Sequence, residues 1–300
     1  MPCRSSKEFS SLAHMVHAFT IDVEDYHNVV ARDWLGINRP PTRAVVENMN
    51  RFLGWLSERS VRATCFVLGE VAEVFPELIR EIADRGHELG VHGYYHRQVF
   101  KLDRESFRKE VGDAKRLIER ISGQKIRGHR APAFSIMPNT AWALEVLAEE
   151  GFEYDSSIFP IKGKRYGWPG YPMDIQRIRL PNGLSIIEAP LSTVTLFGKR
   201  IPACGGGYVR HFPAIFSRWA MRRVGRERPA IAYFHPYEVE TPSFEFDTSH
   251  LGRESERRAI RFHRMQQMNR ASMKRKILGL IDEFEFAPLG GIIDHAMGDS

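Results

Sequence analysis

The feature that most constrains this 300-residue chain is an alternation, from residue 17 to residue 155, of short apolar runs with longer segments of helical period. Ala18 to Ile21, Val61 to Leu68, Glu88 to Val91, Ile126 to His129 and Phe152 to Tyr154 read as short buried strands. Between them apolar side chains recur at helical spacing. Val45, Met49, Phe52, Leu53 and Leu56 do so within Thr42–Arg59, and Val71, Val74, Leu78, Ile79 and Ile82 within Glu70–Arg85. A third helix is expected between an Asp103 N-cap and Gly123, and a fourth between Pro138 and Gly151. Strands and helices alternating over short connections give parallel pairing, hence a (β/α) sheet or barrel. Such folds place their chemistry at the carboxyl ends of the strands.

Reactive residues follow those runs. Asp22, Glu24 and Asp25 put three carboxylates within four positions. Like charges so crowded imply a cation or an arginine close by. A helix N-terminus is the other explanation, although Tyr26-His27-Asn28-Val29 is a weak helix start. His92 and His96 stand four residues apart, so both imidazoles can reach one metal ion. Arg130, Asp155 and, after a later run at Ala230 to Phe234, His235 complete the set. Structural roles compete with each: a buried Arg130–Asp155 ion pair, a capped strand end at His235, and one surface plus one core histidine.

Taken in order, Thr20 to Asp25, His92 to His96, Arg130-Ala131-Pro132, Asp155-Ser156-Ser157 and Phe234 to Glu238 resemble the five motifs of the NodB-homology polysaccharide deacetylases, carbohydrate esterase family 4. Gly205-Gly206-Gly207-Tyr208 and the helical C-terminal part are similar to the branch associated with exosortase and exopolysaccharide loci. The resemblance covers about residues 17–290 and implies a deformed (β/α) barrel with a C-terminal helical extension. It divides the chain into a loose arm (1–16), a catalytic barrel (17–240) and a helical segment packed on it (241–300). The implied activity is metal-dependent removal of N-acetyl groups from amino sugars of a polysaccharide or its oligosaccharide precursor, with zinc as the expected metal. On this resemblance His92, His96 and a carboxylate are the ligands. Asp22 is the base, Arg130 its partner, Asp155 the brace on Arg130, and His235 the acid; a backbone N–H near Ala133 serves the oxyanion. An amide is a poor electrophile, so a cation with open positions suits the task.

The sequence departs from the usual motifs twice. Val23 separates Asp22 from Glu24 where adjacent aspartates are common. Alternate residues at a strand end face the same way, which favours Glu24 as the ligand and leaves Asp25 open. Gly93 replaces a hydroxyl residue after the first histidine. Two other functions stay open: a metal-independent amidohydrolase acting on a small amide, and a non-catalytic sugar-binding module. Binding alone, however, needs neither Asp22 nor His235.

The rest of the chain sets bounds. With 43% apolar residues it can bury a large core. The net charge of +6 is dispersed, and its densest stretch, Arg253 to Lys276, also holds acids, the pattern of a solvated helix face; nucleic acid is not an expected partner. Cys3, Cys65 and Cys204 form no disulfide framework, and no stretch is apolar enough for a secretory signal or a membrane span, so a cytoplasmic location is expected. Residues 161–208 read as loops and hairpins, with Gly205 to Tyr208 as a close-approach turn. A helix is expected over Phe212–Arg223, and one or two over Glu254–Phe284, packing through Phe262, Met265, Met268, Met273, Ile277 and Ile281.

Overall fold

A computed structural model describes residues 15–163, 166–239 and 251–298; the expected arm, but for its last two residues, lies outside the described residues. The first strand, β1 (His17–Val23), is buried along its whole length, as a parallel strand covered on both faces must be. It pairs in parallel with β2 (Thr64–Val67) on one side and β10 (Ile231–Phe234) on the other. The parallel run continues through β3 (Glu88–Val91), β4 (Gly128–His129) and β5 (Tyr154–Asp155). A hairpin of β6 (Gln176–Arg179) and β7 (Ser185–Glu188) joins β5 through β7, giving the order β10-β1-β2-β3-β4-β5-β7-β6. The sheet curls into a half-barrel. A second hairpin, β8 (Thr193–Leu196) with β9 (Lys199–Pro202), stands apart.

Helices cover the strands where the periodicity predicts them. In α2 (Ala44–Ser57) the stripe from Val45 to Leu56 is buried. The single helix expected over Glu70–Arg85 is two, α3 (Gly69–Val74) and α4 (Pro76–Asp84). Pro76 has no N–H to extend the first ladder and instead opens the second helix, which leaves Val74 exposed rather than inward. Asp103 caps α5 (Arg104–Ser122) by accepting the Ser106 N–H at 2.7 Å, and Gly123 ends it at φ 70°. The fourth helix is α6 (Trp142–Glu149).

Three expectations are corrected. The weak start at Tyr26 does open a helix, α1 (Tyr26–Leu35), tied down by Arg32, whose Nη1 and Nη2 each donate to Glu70 at 2.7 Å. Tertiary charge pairing here overrides poor local propensity. The triple glycine makes the close approach expected of it, but Gly206 and Gly207 also open a helix, α7 (Gly206–His211), behind an extended Gly205; α8 (Ala214–Val224) follows. Glycine is required there by close packing, since a Cβ on Gly205 or Gly206 would lie 2.3 or 2.6 Å from Tyr233. Finally, α9 (Arg253–Gln267) and α10 (Met273–Ile281) precede a short β11 (Phe286–Ala287), which returns to pair with the start of β1, and α11 (Leu289–Gly298). Met273, Ile277 and Ile281 are buried, but Met265 and Met268 are exposed.

Candidate active site

Parallel register brings the reactive residues to one rim. Val23, Val67, Val91 and His129 are successive cross-strand partners, so the residues that follow, among them Glu24, His92 and Arg130, stand level. Ile21 pairs with Phe234, which sets Asp22 level with His235. Asp22, Glu24, His92, His96 and His235 line a cavity of 630 Å³, walled further by α1, α7 and α9 through Tyr26, Tyr208 and Phe262.

Glu24, His92 and His96 each bring one ligand atom within 4.8 Å of the others, and all three are buried. Glu24 Oε2 lies 2.8 Å from His96 Nε2 and 3.8 Å from His92 Nε2, yet no donor among the described residues is aligned on it, leaving a buried carboxylate oxygen without a hydrogen bond from them. The outer ring nitrogens are oriented by neighbours: His92 Nδ1 donates to the Arg130 carbonyl at 2.8 Å, and His96 Nδ1 faces Asp33 Oδ2 at 3.3 Å. Burial pulls the His92 imidazole down to about 4. Burial acts the same way on His96, but Glu24 and Asp33 outweigh it and raise that imidazole to about 10. Glu24 is pushed up by burial and pulled further down by His96, His235 and His92, to about 2. Two imidazoles and an orphaned carboxylate oxygen, in surroundings that already draw positive charge, fit a divalent cation. Asp25 turns away, accepting the Thr42 N–H at 2.6 Å. The turn between the histidines explains Gly93: its φ is +76°, and a Cβ would press on Pro132 Cγ at 3.2 Å.

Arg130 is fully buried and spans the floor of the site. Its Nη1 donates to Asp22 Oδ1 at 2.8 Å and Thr20 Oγ1 at 2.7 Å, its Nε to the Ser156 carbonyl at 3.0 Å and its Nη2 to Ser156 Oγ at 3.1 Å. The brace expected of Asp155 is therefore supplied by Ser156. Asp155 pairs in register with His129, and alternation sends both side chains to the face opposite Arg130 and Ser156. There Asp155 Oδ1 lies 2.7 Å from His129 Nδ1 and accepts from Ser157 Oγ at 2.7 Å. Glu188, its partner on β7, is driven well above the ordinary carboxylate range by burial and by the Asp155 charge.

His235 Nε2 stands 3.8 Å from Asp22 Oδ2 and 3.4 Å from Glu24 Oε1. Its Nδ1 faces Glu238 Oε2 at 3.4 Å, and the same oxygen accepts the His235 backbone N–H at 3.1 Å. Burial lowers the His235 imidazole, but Glu238, Glu24 and Asp22 outweigh it and lift it to about 9. Sequence reasoning missed Asp33 and Arg210, and gave no role to Ser156 and Glu238, which lie inside the motifs it quotes. Only Glu238, three residues after His235, carried a local signal, that of a side chain returning to cap its own strand end.

Residues 39–154 match the model of the polysaccharide deacetylase family. The chain carries a polysaccharide deacetylase domain. Residues 156–294 match a domain of unknown function (DUF3473). The peptidoglycan-N-acetylglucosamine deacetylase of Bacillus cereus is 33% identical over 96 residues, 32% of this chain and 35% of that one. The chitooligosaccharide deacetylase of Sinorhizobium fredii is 35% identical over 78 residues, 26% and 36% of the two chains. The chain thus spans about a third of the length of these curated relatives. Among solved structures, a Mycobacterium smegmatis protein classed with the polysaccharide deacetylases superposes with a TM-score of 0.62 at 22% identity, covering 95% of this chain and 90% of that one. Puue allantoinase reaches 0.59 at 16% identity over 95% and 91%. These two share the fold. His92, His96 and Arg130 fall inside the deacetylase match, whereas His235, Glu238 and Arg210 come from the segment of unknown function.

Proposed function

We propose that this chain is a metal-dependent hydrolase that removes N-acetyl groups from amino sugars of a polysaccharide or of its oligosaccharide precursor. The observation that carries the reading is the meeting, in one cavity, of a three-donor metal group with a carboxylate and an imidazole placed for proton transfer. A divalent cation on Glu24, His92 and His96, zinc by its preference for such nitrogen and oxygen donors, would polarise the amide carbonyl and acidify water. Asp22 takes the proton of the attacking water at Oδ2, because Oδ1 is held by Arg130. As the water oxygen bonds to the carbonyl carbon and the C–N bond breaks, His235 gives a proton from Nε2 to the departing amine. Glu238, 3.4 Å from Nδ1, favours the charged imidazole. Ala133, in left-handed backbone at φ 52°, lines the same cavity and presents main chain for the oxyanion.

Names of the curated relatives, deacetylases of peptidoglycan and chitooligosaccharide, support an N-acetylated glycan as substrate. Among the described residues no helix is long and apolar enough to cross a membrane. Cys65 and Cys204 are buried and unpaired, which supports a reducing, cytoplasmic setting; fractionation of native cells tests that part. For the activity, metal content of the purified chain is measured alongside acetate release from a panel of N-acetylated glycans. Release that rises with metal loading supports the proposal. Equal release from the metal-free protein would mean a metal-independent amidohydrolase. Binding of the glycans by the loaded protein without release would mean a sugar-binding module.

A further inference from the structure

We propose that the cavity contains an anion subsite built on Arg210, so that the amino sugar it takes carries a carboxylate or a phosphate. The identity of the sugar rests on the deacetylase reading. Arg210 lines the cavity from α7 and is 2% exposed. Its Nη2 donates to Gln266 Oε1 at 2.7 Å, while Nε and Nη1 have no hydrogen-bond acceptor among the described residues. Glu238 Oε1 lies 3.5 Å from Nη1 without forming that bond, and the other Glu238 oxygen is engaged with His235.

A second guanidinium backs the first. Arg270, 6% exposed, donates from Nε to the Gln266 carbonyl at 2.8 Å, so that one residue holds both arginines, by its side chain and by its main chain. The Arg270 guanidinium lies 4.8 Å from the Tyr26 ring and 5.8 Å from the Tyr237 ring, both of which line the cavity. Neither of its terminal nitrogens has an acceptor among the described residues. Arg210 thus has one carboxylate nearby, and His235 also uses it. Buried donors without acceptors are costly, and a guanidinium is well suited to an oxyanion. An anionic group entering beside the Tyr208 and Phe212 rings would satisfy the open donors of Arg210 and offset the excess charge.

The test uses the metal-loaded full chain and three short probes: a neutral N-acetylglucosamine oligosaccharide, one ending in a 2-acetamido uronic acid, and N-acetylglucosamine 1-phosphate. Acetate release and calorimetric binding are both read. At least one anionic probe should exceed the neutral one in kcat/KM by about 10- to 100-fold, the worth of hydrogen bonds to a charged group. Which one does so separates carboxylate from phosphate. Arg210→Gln should erase most of that preference through KM, and Arg210→Lys should restore part of it. Equal kcat/KM for neutral and anionic probes in the unmodified protein overturns the subsite. So does an equal loss on all three probes in a folded Arg210→Gln protein, which would make Arg210 a positioning residue for Glu238. If no probe releases acetate but an anionic one binds, and Arg210→Gln abolishes that binding, the subsite stands and the deacetylase reading falls.

Discussion

Arg130 is the place where stability and the proposed chemistry can be separated most cleanly. Its guanidinium and Asp22 are both essentially removed from water, and one charged hydrogen bond of 2.8 Å joins them. Arg130→Met keeps much of the volume but leaves Asp22 as a buried carboxylate without its guanidinium, while Thr20 and Ser156 keep donating to the Ala232 and Ala189 carbonyls. Breaking such a pair by removing one partner costs about 3–5 kcal/mol. Asp22→Asn is milder, since the amide oxygen can still accept from Arg130, and about 1–2 kcal/mol is expected from loss of charge on the acceptor. In the double variant no charge is left uncompensated, so it should be more stable than the sum of the single losses by about 2–3 kcal/mol. The assay is urea unfolding at pH 7, with metal content fixed and m-values checked for constancy. Additivity within about 0.5 kcal/mol would refute the reasoning, because it would mean that the carboxylate finds another partner or takes up a proton when Arg130 is gone.

Four further outcomes are expected. Metal content should drop sharply in His92→Ala, His96→Ala and Glu24→Ala but persist in Asp25→Ala, whose carboxylate caps Thr42; retention by the histidine double variant would remove the metal assignment. Asp22→Asn and His235→Ala should each lower turnover by about 10²–10⁴ with metal bound, and near-normal turnover in both would exclude the proton-transfer roles. His17 and His87 accept the Ala230 and Ala63 N–H groups through Nδ1, and burial lowers both imidazoles to about 4. Their folded pKa values lie below the unfolded value of about 6.5, so stability is complete above that pH and falls towards pH 4, by about 1.4 kcal/mol per unit for each; pH-dependent unfolding of His87→Gln should lose that one contribution from the slope. Gly128→Ala should destabilise by about 1–3 kcal/mol or more in thermal unfolding, because its Cβ would sit 2.1 Å from Tyr154 Cζ; a neutral result would mean that Tyr154 can swing away from Glu88 without penalty.

Strands and helices were legible where one physical signal decided them. Ala18 to Ile21 could only be a covered strand, and Asp103 with Gly123 bracketed α5 because capping is local chemistry. Misreadings arose where distant residues decided the outcome. No local pattern at Tyr26 reveals that Arg32 will meet Glu70, and none in the triple glycine shows that Tyr233, nearly thirty residues on, packs against it where α7 begins. The same holds at the site. Residues directly after a strand could be placed from the sequence, but which face each one takes depends on register, and that is why Asp155 ended opposite Arg130 while Ser156 took its place. Asp33 was invisible because it lies on the helix that propensity argued against.

The boundary between the two matched segments, at residues 154–156, runs through the middle of the sheet, since β5 pairs with β7 and β1 pairs with β10 across it. The deacetylase match supplies the histidine pair and Arg130, but the cavity the histidines face would have no imidazole opposite Asp22 without β10, and would lack the part of its wall that α7 and α9 add. Four residue pairs between β1 and β10 fix the level of His235 against Asp22, so the spacing on which the proposed proton transfers depend is set by backbone pairing rather than by a flexible junction. A segment of unknown function that completes a site in this way is better placed to set which substrate enters than to act as an independent module. Arg210, Phe262 and Gln266, which face the cavity from that segment, are the residues through which it would do so.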